Sequence, residues 1–142
     1  MTDVRRFPST LAAVAAARRF ARDSLAEASD EVVDQVVMMV SELATNCVRH
    51  AGTEFQIAID CQPDQIFVEV TDGGAGAPAV RSPGPTEPSG RGLLIVEQLS
   101  HEWGVREPES DVGKTVWFTF RVPSVDVTSR SLTQLRSTAP RN

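Results

Sequence analysis

The sequence predicts one α/β domain, a two-layer sandwich in which a mixed, mostly antiparallel sheet carries helices on one face. Three observations support this class: helical periodicity between residues 10 and 50, two strictly alternating segments after it, and a further helical segment followed by strand-like segments. The chain has 142 residues, of which 41% are hydrophobic and 23% charged. It is therefore long enough to bury a core of its own and has an ordinary globular composition.

Two helices are predicted in the first third of the chain. The alanine-rich segment 10–28 has apolar residues near helical spacing. Ser29 or Asp30 can cap a second helix that continues to about His50, and Gly52 ends it. The apolar face of this second helix is wide and comprises Val33, Val36, Val37, Val40, Leu43, Ala44, Cys47 and Val48.

A hairpin and two later strands are predicted to form the sheet. Apolar residues alternate from Phe55 to Ile59 and again from Ile66 to Val70, and the segment 62–64 between them is typical of a turn. A third helix is expected from Gly92 to Leu99, with strands at 102–106 and 115–122. In the last strand one face is expected to contain Val116, Phe118, Phe120 and Val122, with Trp117 opposite.

Two segments are predicted to lack regular structure. Residues 72–89 are rich in glycine and proline, which favours a long loop. From residue 124 onward the sequence is polar with little periodicity. We therefore assign residues 1–123 to the domain and expect 124–142 to be a flexible tail.

Charge and composition exclude several classes of function. The net charge of −5 argues against direct nucleic-acid binding, and two widely spaced cysteines favour reduced core residues over a zinc site. There is no apolar run long enough to span a membrane and no signal-like N-terminus, so we expect a cytoplasmic protein with no membrane partner. The basic cluster near the N-terminus is either a solvated face or a docking site for an acidic partner, and it comprises Arg5, Arg6, Arg18, Arg19 and Arg22.

Glu42 and Asn46 form the first candidate site. They lie four residues apart on one helix, so their side chains share a face and can meet one water molecule and one cation. Magnesium prefers oxygen ligands together with retained waters and phosphates. Taken alone, however, the two residues are better explained as part of a solvated polar stripe.

Two glycine-rich segments could bind a nucleotide. Asp72 follows a predicted strand and could accept a hydrogen bond from an exocyclic amine such as that of adenine, while the glycines after it allow close approach of a flat ring. The alternative is an ordinary turn held by the aspartate. The segment 89–92 precedes a predicted helix whose free N–H groups could hold phosphate, with Arg91 adding charge, although glycine before a helix is often only an entry turn.

The segment Gly113-Lys114-Thr115 is not a P-loop. That motif requires a glycine five residues before its Gly-Lys pair, where this chain has Pro108, and it requires a helix to follow, where this chain alternates as a strand. The hydroxyl of Thr115 can still offer a hydrogen bond to phosphate, and a strand-edge threonine without a ligand is equally consistent with the pattern.

The order of these segments resembles the gyrase, chaperone, histidine-kinase and mismatch-repair ATPase superfamily. The similarity is greatest to its stand-alone anti-sigma-factor serine kinases, over about residues 4 to 122. The resemblance implies a histidine-kinase-like ATPase (Bergerat) fold, ATP and Mg²⁺ as cofactors, and a homodimer. It also implies two protein partners: a sigma factor that is sequestered and an anti-anti-sigma protein that is phosphorylated on serine. The alternative is a non-catalytic, nucleotide-dependent switch that binds partners without phosphorylating them.

The same resemblance assigns roles to individual residues. Glu42 matches the general base, Asn46 the magnesium ligand and Asp72 the adenine-binding aspartate, while Arg18 resembles a helix arginine that contacts protein partners. The further positions assigned to ATP binding are His50, the hinge glycines Gly74 and Gly76, Ala77 at the start of the lid, Gly90, Arg91, Gly92 and Leu93 on the phosphate side, and Thr115.

Overall fold

A computed structural model describes residues 2–73, 88–107 and 113–123 of the protein. The predicted tail 124–142 and most of the predicted loop, residues 74–87, lie outside the described residues. The described elements, in chain order, are β1 (Thr2–Phe7), α1 (Leu11–Ser24), α2 (Asp30–Asn46), a π-helical turn (Cys47–Ala51), β2 (Phe55–Cys61), β3 (Gln65–Asp72), α3 (Pro88–Leu99), β4 (Glu102–Arg106) and β5 (Lys114–Arg121).

The five strands form one sheet in the order β1-β2-β3-β5-β4. Each pairing among these strands is antiparallel, so the described sheet lacks the parallel component expected of a mixed sheet. The apolar residues of the hairpin and of β5 are buried on one face of this sheet, against the helices, as the alternation predicted. The α/β class with helices on one face is therefore confirmed.

Both long helices begin at capping side chains, and Ser29 is one of the two caps predicted for the second helix. The hydroxyl oxygen of Thr10 accepts from the N–H of Ala13 at 3.2 Å, and that of Ser29 accepts from the N–H of Val32 at 3.3 Å. These contacts satisfy backbone donors that have no partner within the helix. After Asn46 the α-helix widens into the π-helical turn, which ends at Gly52 with a left-handed φ of 67°.

Four details differ from the sequence predictions. Strand β1 was not predicted, because Phe7 is its one buried residue and a strand exposed along most of its length has no alternating signal. Helix α1 ends at Ser24 rather than near residue 28, and α3 begins at Pro88 rather than Gly92, since proline is well accommodated in a first helical turn. Cys61 is exposed and not a core residue, because it lies at the end of β2 next to the hairpin turn.

Candidate functional site

Asp72 is a buried carboxylate at the end of β3. Its exposed fraction is 8%, and it follows the buried strand residues Ile66, Val68 and Val70 on the helix-covered face. The N–H of Lys114, its partner residue on β5, donates to Oδ1 of Asp72 at 3.3 Å. An aspartate buried at a strand end in this way is held in position by backbone contacts.

Two glycines fit closely around Asp72. The N–H of Gly73 donates to the hydroxyl oxygen of Thr53 at 2.9 Å and to the carbonyl of Glu54 at 3.2 Å, which joins the end of β3 to the start of β2. Gly113 has a left-handed φ of 79°, and a side-chain carbon at this position would overlap the carbonyl oxygen of Asp72. Only glycine therefore combines this backbone conformation with such close approach.

The end of α2 lies close to Asp72. Cys47 follows Asn46 directly and is buried, and burial raises the pKa of its thiol to about 12. Burial is the largest cause of this shift in the pKa, the Asp72 carboxylate contributes in the same direction, and Lys114 opposes it. Helix α2 contacts β3 directly, and Cys47 belongs to the same core cluster as Val70, two residues before Asp72 on that strand. The fold thus brings the helix end that carries Asn46 to the strand end that carries Asp72.

The polar residues predicted on α2 are half-buried. Glu42, Asn46 and His50 are spaced by four, and each has intermediate exposure between the core and the surface of the helix. Nη1 of Arg18 donates to the hydroxyl oxygen of Ser41 at 3.0 Å, so Arg18 connects α1 to the turn of α2 that carries Glu42. Partner binding by Arg18 stays a prediction, as do the roles of Glu42 and Asn46 on α2 and of His50 in the π-helical turn.

The glycine-rich segment predicted to precede α3 is part of that helix. Gly90, Arg91 and Gly92 fall within its first five residues. The N–H groups of the cap and of the first three residues of a helix have no acceptor in it, so that of Gly90 remains available while those of Arg91 and Gly92 fall within the hydrogen-bonded helix. Leu93 is half-buried and packs against the core. The expectation of a glycine entry turn is corrected to a helical first turn.

Thr115 lies on the other face of the sheet from Asp72. Its hydroxyl is 2.8 Å from that of Thr71, its partner in the strand register, and Thr71 directly precedes Asp72 on β3, where successive side chains point to opposite faces. The structure therefore does not bring the Thr115 hydroxyl to the side on which Asp72 lies, and its nucleotide contact stays a prediction. Gly74, Gly76 and Ala77 lie outside the described residues.

Sequence reasoning missed three contributors to this site: Gly113, the N–H of Lys114, and Cys47 as the neighbour of Asp72. The one feature of the sequence that could have indicated Gly113 is that a glycine lies just before the predicted last strand. Within the described ranges, no three His, Cys, Asp or Glu side chains form a metal-binding group, and no helix is long and apolar enough to cross a membrane.

Comparison with known families identifies the domain. Residues 7–120 match the model of the family described as histidine kinase-like ATPase domain, which covers most of the chain. The protein therefore belongs to the histidine kinase-like ATPase domain family. This assignment agrees with the fold.

The chain is similar to one solved structure described as the NMR structure of the histidine kinase domain of the E. coli osmosensor EnvZ. It is 16% identical in sequence, with a TM-score of 0.48, and the match covers 85% of this chain and 89% of that one. No curated protein matches the sequence. The family assignment depends on the family match over residues 7–120.

Proposed function

We propose that the protein binds Mg²⁺-ATP between α2 and the ends of β3 and β5. The carboxylate of Asp72 would accept a hydrogen bond from the adenine amine, and the amide oxygen of Asn46 would ligate Mg²⁺. The residues present suit these groups: a buried carboxylate held by a backbone N–H can accept from the edge of a base, and an amide oxygen is a ligand that magnesium accepts beside phosphates and water.

We further propose that the domain is a protein serine kinase that regulates a sigma factor. Glu42 would accept the proton of a serine hydroxyl, whose oxygen attacks the γ-phosphorus of ATP, and ADP would leave as the phosphoserine forms. Bound Mg²⁺ would neutralise charge on the transferred phosphoryl group. The substrate would be an anti-anti-sigma protein, and the second partner a sigma factor sequestered by a homodimer of this chain.

The single observation that supports this proposal is the position of the α2 end beside Asp72. Glu42 lies one helical turn before Asn46, so a nucleotide whose base contacts Asp72 has its phosphates within reach of the polar side of α2. The half-buried state of Glu42 leaves it accessible to a substrate hydroxyl.

Phosphoryl transfer to a candidate partner tests the proposal. The purified chain is incubated with γ-labelled ATP, Mg²⁺ and a panel of anti-anti-sigma proteins, in parallel with Glu42→Gln. We expect phosphoserine with the native chain and a loss of about 10²- to 10⁴-fold in rate with the variant, because a general base contributes about that much. Glu31→Gln, an exposed carboxylate on the same helix, is the matched control and should transfer normally.

Nucleotide binding measured by calorimetry on the same samples separates the alternatives. Both variants should bind ATP as the native chain does. ATP binding without phosphoserine on any partner would contradict the kinase proposal and favour the non-catalytic switch. Absence of ATP binding would contradict the nucleotide site as well.

A further inference from the structure

The helix-free face of the sheet carries an aromatic pair. The rings of Phe67 on β3 and Trp117 on β5 have centroids 6.1 Å apart, and both residues are half-buried. Trp117 lies directly over Gly104, where a side-chain carbon would be 2.8 Å from Cζ2 of the indole. None of the three described helices packs on this face, since the strand residues in the core all belong to the other one.

The polar side chains beside this pair are bonded to one another. Arg106 and Glu69 form an ion pair across β5, and the hydroxyls of Thr71 and Thr115 are bonded at 2.8 Å. These contacts surround the aromatic pair on the side towards Asp72. Phe67 and Trp117 are thus apolar residues that, on this one side, adjoin polar groups already bonded to one another.

Thr119 supplies an independent indication that this face has an occupant. It lies opposite Phe67 in the strand register and is 6% exposed, although it belongs to the helix-free face. Its hydroxyl oxygen is buried without a hydrogen-bond partner among the described residues. A buried hydroxyl without a partner is unfavourable, so a bound backbone group that pairs with it would be stabilised at this position.

The chain itself continues from the end of this strand. β5 ends at Arg121, and the described chain ends at Pro123, two residues beyond this strand. A return from Pro123 to Trp117 spans six residues of strand, about 20 Å at about 3.3 Å per residue. The segment 124–142 is long enough for this return, and its aliphatic residues are Val125, Val127, Leu132 and Leu135.

Charge favours the same occupant. Residues 124–142 contain three arginines and one aspartate, a net charge of +2, so the rest of the chain carries −7 and the total is −5. A basic segment is attracted to an acidic domain, and this attraction weakens as salt screens it. We propose that residues 124–142 bind the helix-free face, cover Phe67 and Trp117, and offer a backbone partner to the Thr119 hydroxyl. This surface lies on the opposite side of the sheet from Asp72, so the inference is independent of the nucleotide site.

Fluorescence quenching of Trp117 tests the proposal in the full-length chain. Trp103, the other tryptophan, is replaced by Phe so that Trp117 alone reports. In this background we expect Val127→Asp with Leu132→Asp to raise acrylamide quenching towards that of a free indole, because the aliphatic contacts are lost. The control Ser137→Asp with Thr138→Asp adds the same charge without removing an apolar side chain and should quench much less. Equal quenching in the parent and in the Val127/Leu132 variant would overturn the proposal.

Two further measurements test the Thr119 bond and the number of chains that contribute to the covered face. Thr119→Val keeps the shape of the side chain, so increased quenching supports a bond from its hydroxyl to the segment, whereas unchanged quenching contradicts that bond. Sedimentation of the parent over a range of concentrations detects a second copy on this face. If Trp117 is protected from acrylamide only at concentrations where the sedimenting mass doubles, a second copy covers this face. That result would overturn the proposal that the segment binds within its own chain.

Discussion

The two ends of the candidate site are built differently. At the strand end, Asp72 is buried, receives a backbone N–H from Lys114 and is packed against Gly113. At the helix end, Glu42 and Asn46 are half-buried side chains on the surface of α2. The strand end is therefore part of the folding core, whereas the helix end can change with little effect on the fold.

This difference predicts how mutations separate stability from function. Substitutions that disrupt the backbone contacts of the strand end should change stability and nucleotide binding together, because the same contacts serve both. Substitutions at the helix end should change metal dependence or phosphoryl transfer while the free energy of unfolding stays nearly constant. Glu42→Gln has the largest expected effect on function. Substitutions of four other residues follow in order of decreasing expected effect: Gly113, Asp72, Asn46 and Cys47.

Gly113→Ala should cause the largest loss of stability. A left-handed backbone costs a residue with a side chain about 1–2 kcal/mol, and overlap with the Asp72 carbonyl adds to this, so we expect more than about 2 kcal/mol in urea unfolding. Gly52→Ala is the matched control, because its φ of 67° is similar and nothing lies within 4 Å of the added carbon. Equal losses in the two variants would show that close packing at Asp72 is not important.

Asp72→Asn should weaken ATP binding by about 10- to 100-fold. This loss corresponds to the free energy of a hydrogen bond to a charged group, about 1.5–3 kcal/mol. The amide keeps an oxygen that can accept from the N–H of Lys114, so the fold should be retained. Calorimetry measures the affinity, with Asp64→Asn, an exposed aspartate at the hairpin turn, as the control. If Asp72→Asn binds ATP with the native affinity, Asp72 does not recognise adenine.

Asn46→Ala should lower the ratio between ATP affinities measured with and without Mg²⁺ towards one. It should change the free energy of unfolding by only about 0.5 kcal/mol, since the residue lies at the partly exposed end of α2. Gln35→Ala removes a half-buried amide elsewhere on the same helix and should keep the Mg²⁺ dependence. If Asn46→Ala shows the native Mg²⁺ titration, Asn46 is not the ligand.

Cys47 should make stability fall in alkali. Its pKa is raised from 9.0 to about 12, so the unfolded chain loses this proton first and the stabilisation, complete below pH 9, is lost as pH rises from about 9 towards 12. Between pH 8.5 and 10 we expect a loss of about 1 kcal/mol that Cys47→Ala does not show. Cys61 is retained in both proteins, so its own titration cancels in the comparison. Parallel stability profiles would contradict the burial of the Cys47 thiol.

The sequence predicted the parts of the fold that local patterns specify. Alternation identified both strands of the hairpin, Ser29 proved to cap the second helix, and Gly52 proved to end the π-helical turn that continues it. Strand β1 escaped prediction because its apolar content is too low to produce a period. Glu42, Asn46 and Asp72 were selected as a set from motif order, and the structure brings the end of α2 near Asp72.

The sequence by itself determined which residues are buried in the hairpin, where the first two helices begin, and the order of the motifs that resemble a nucleotide site. These properties depend on neighbours within a few residues, where side-chain period and capping act directly. Only the tertiary structure decided that β5 pairs with β3, so that Gly113 and Lys114 meet Asp72 more than forty residues away. Pairing of distant strands depends on the packing energy of the whole sheet, which a local pattern does not contain.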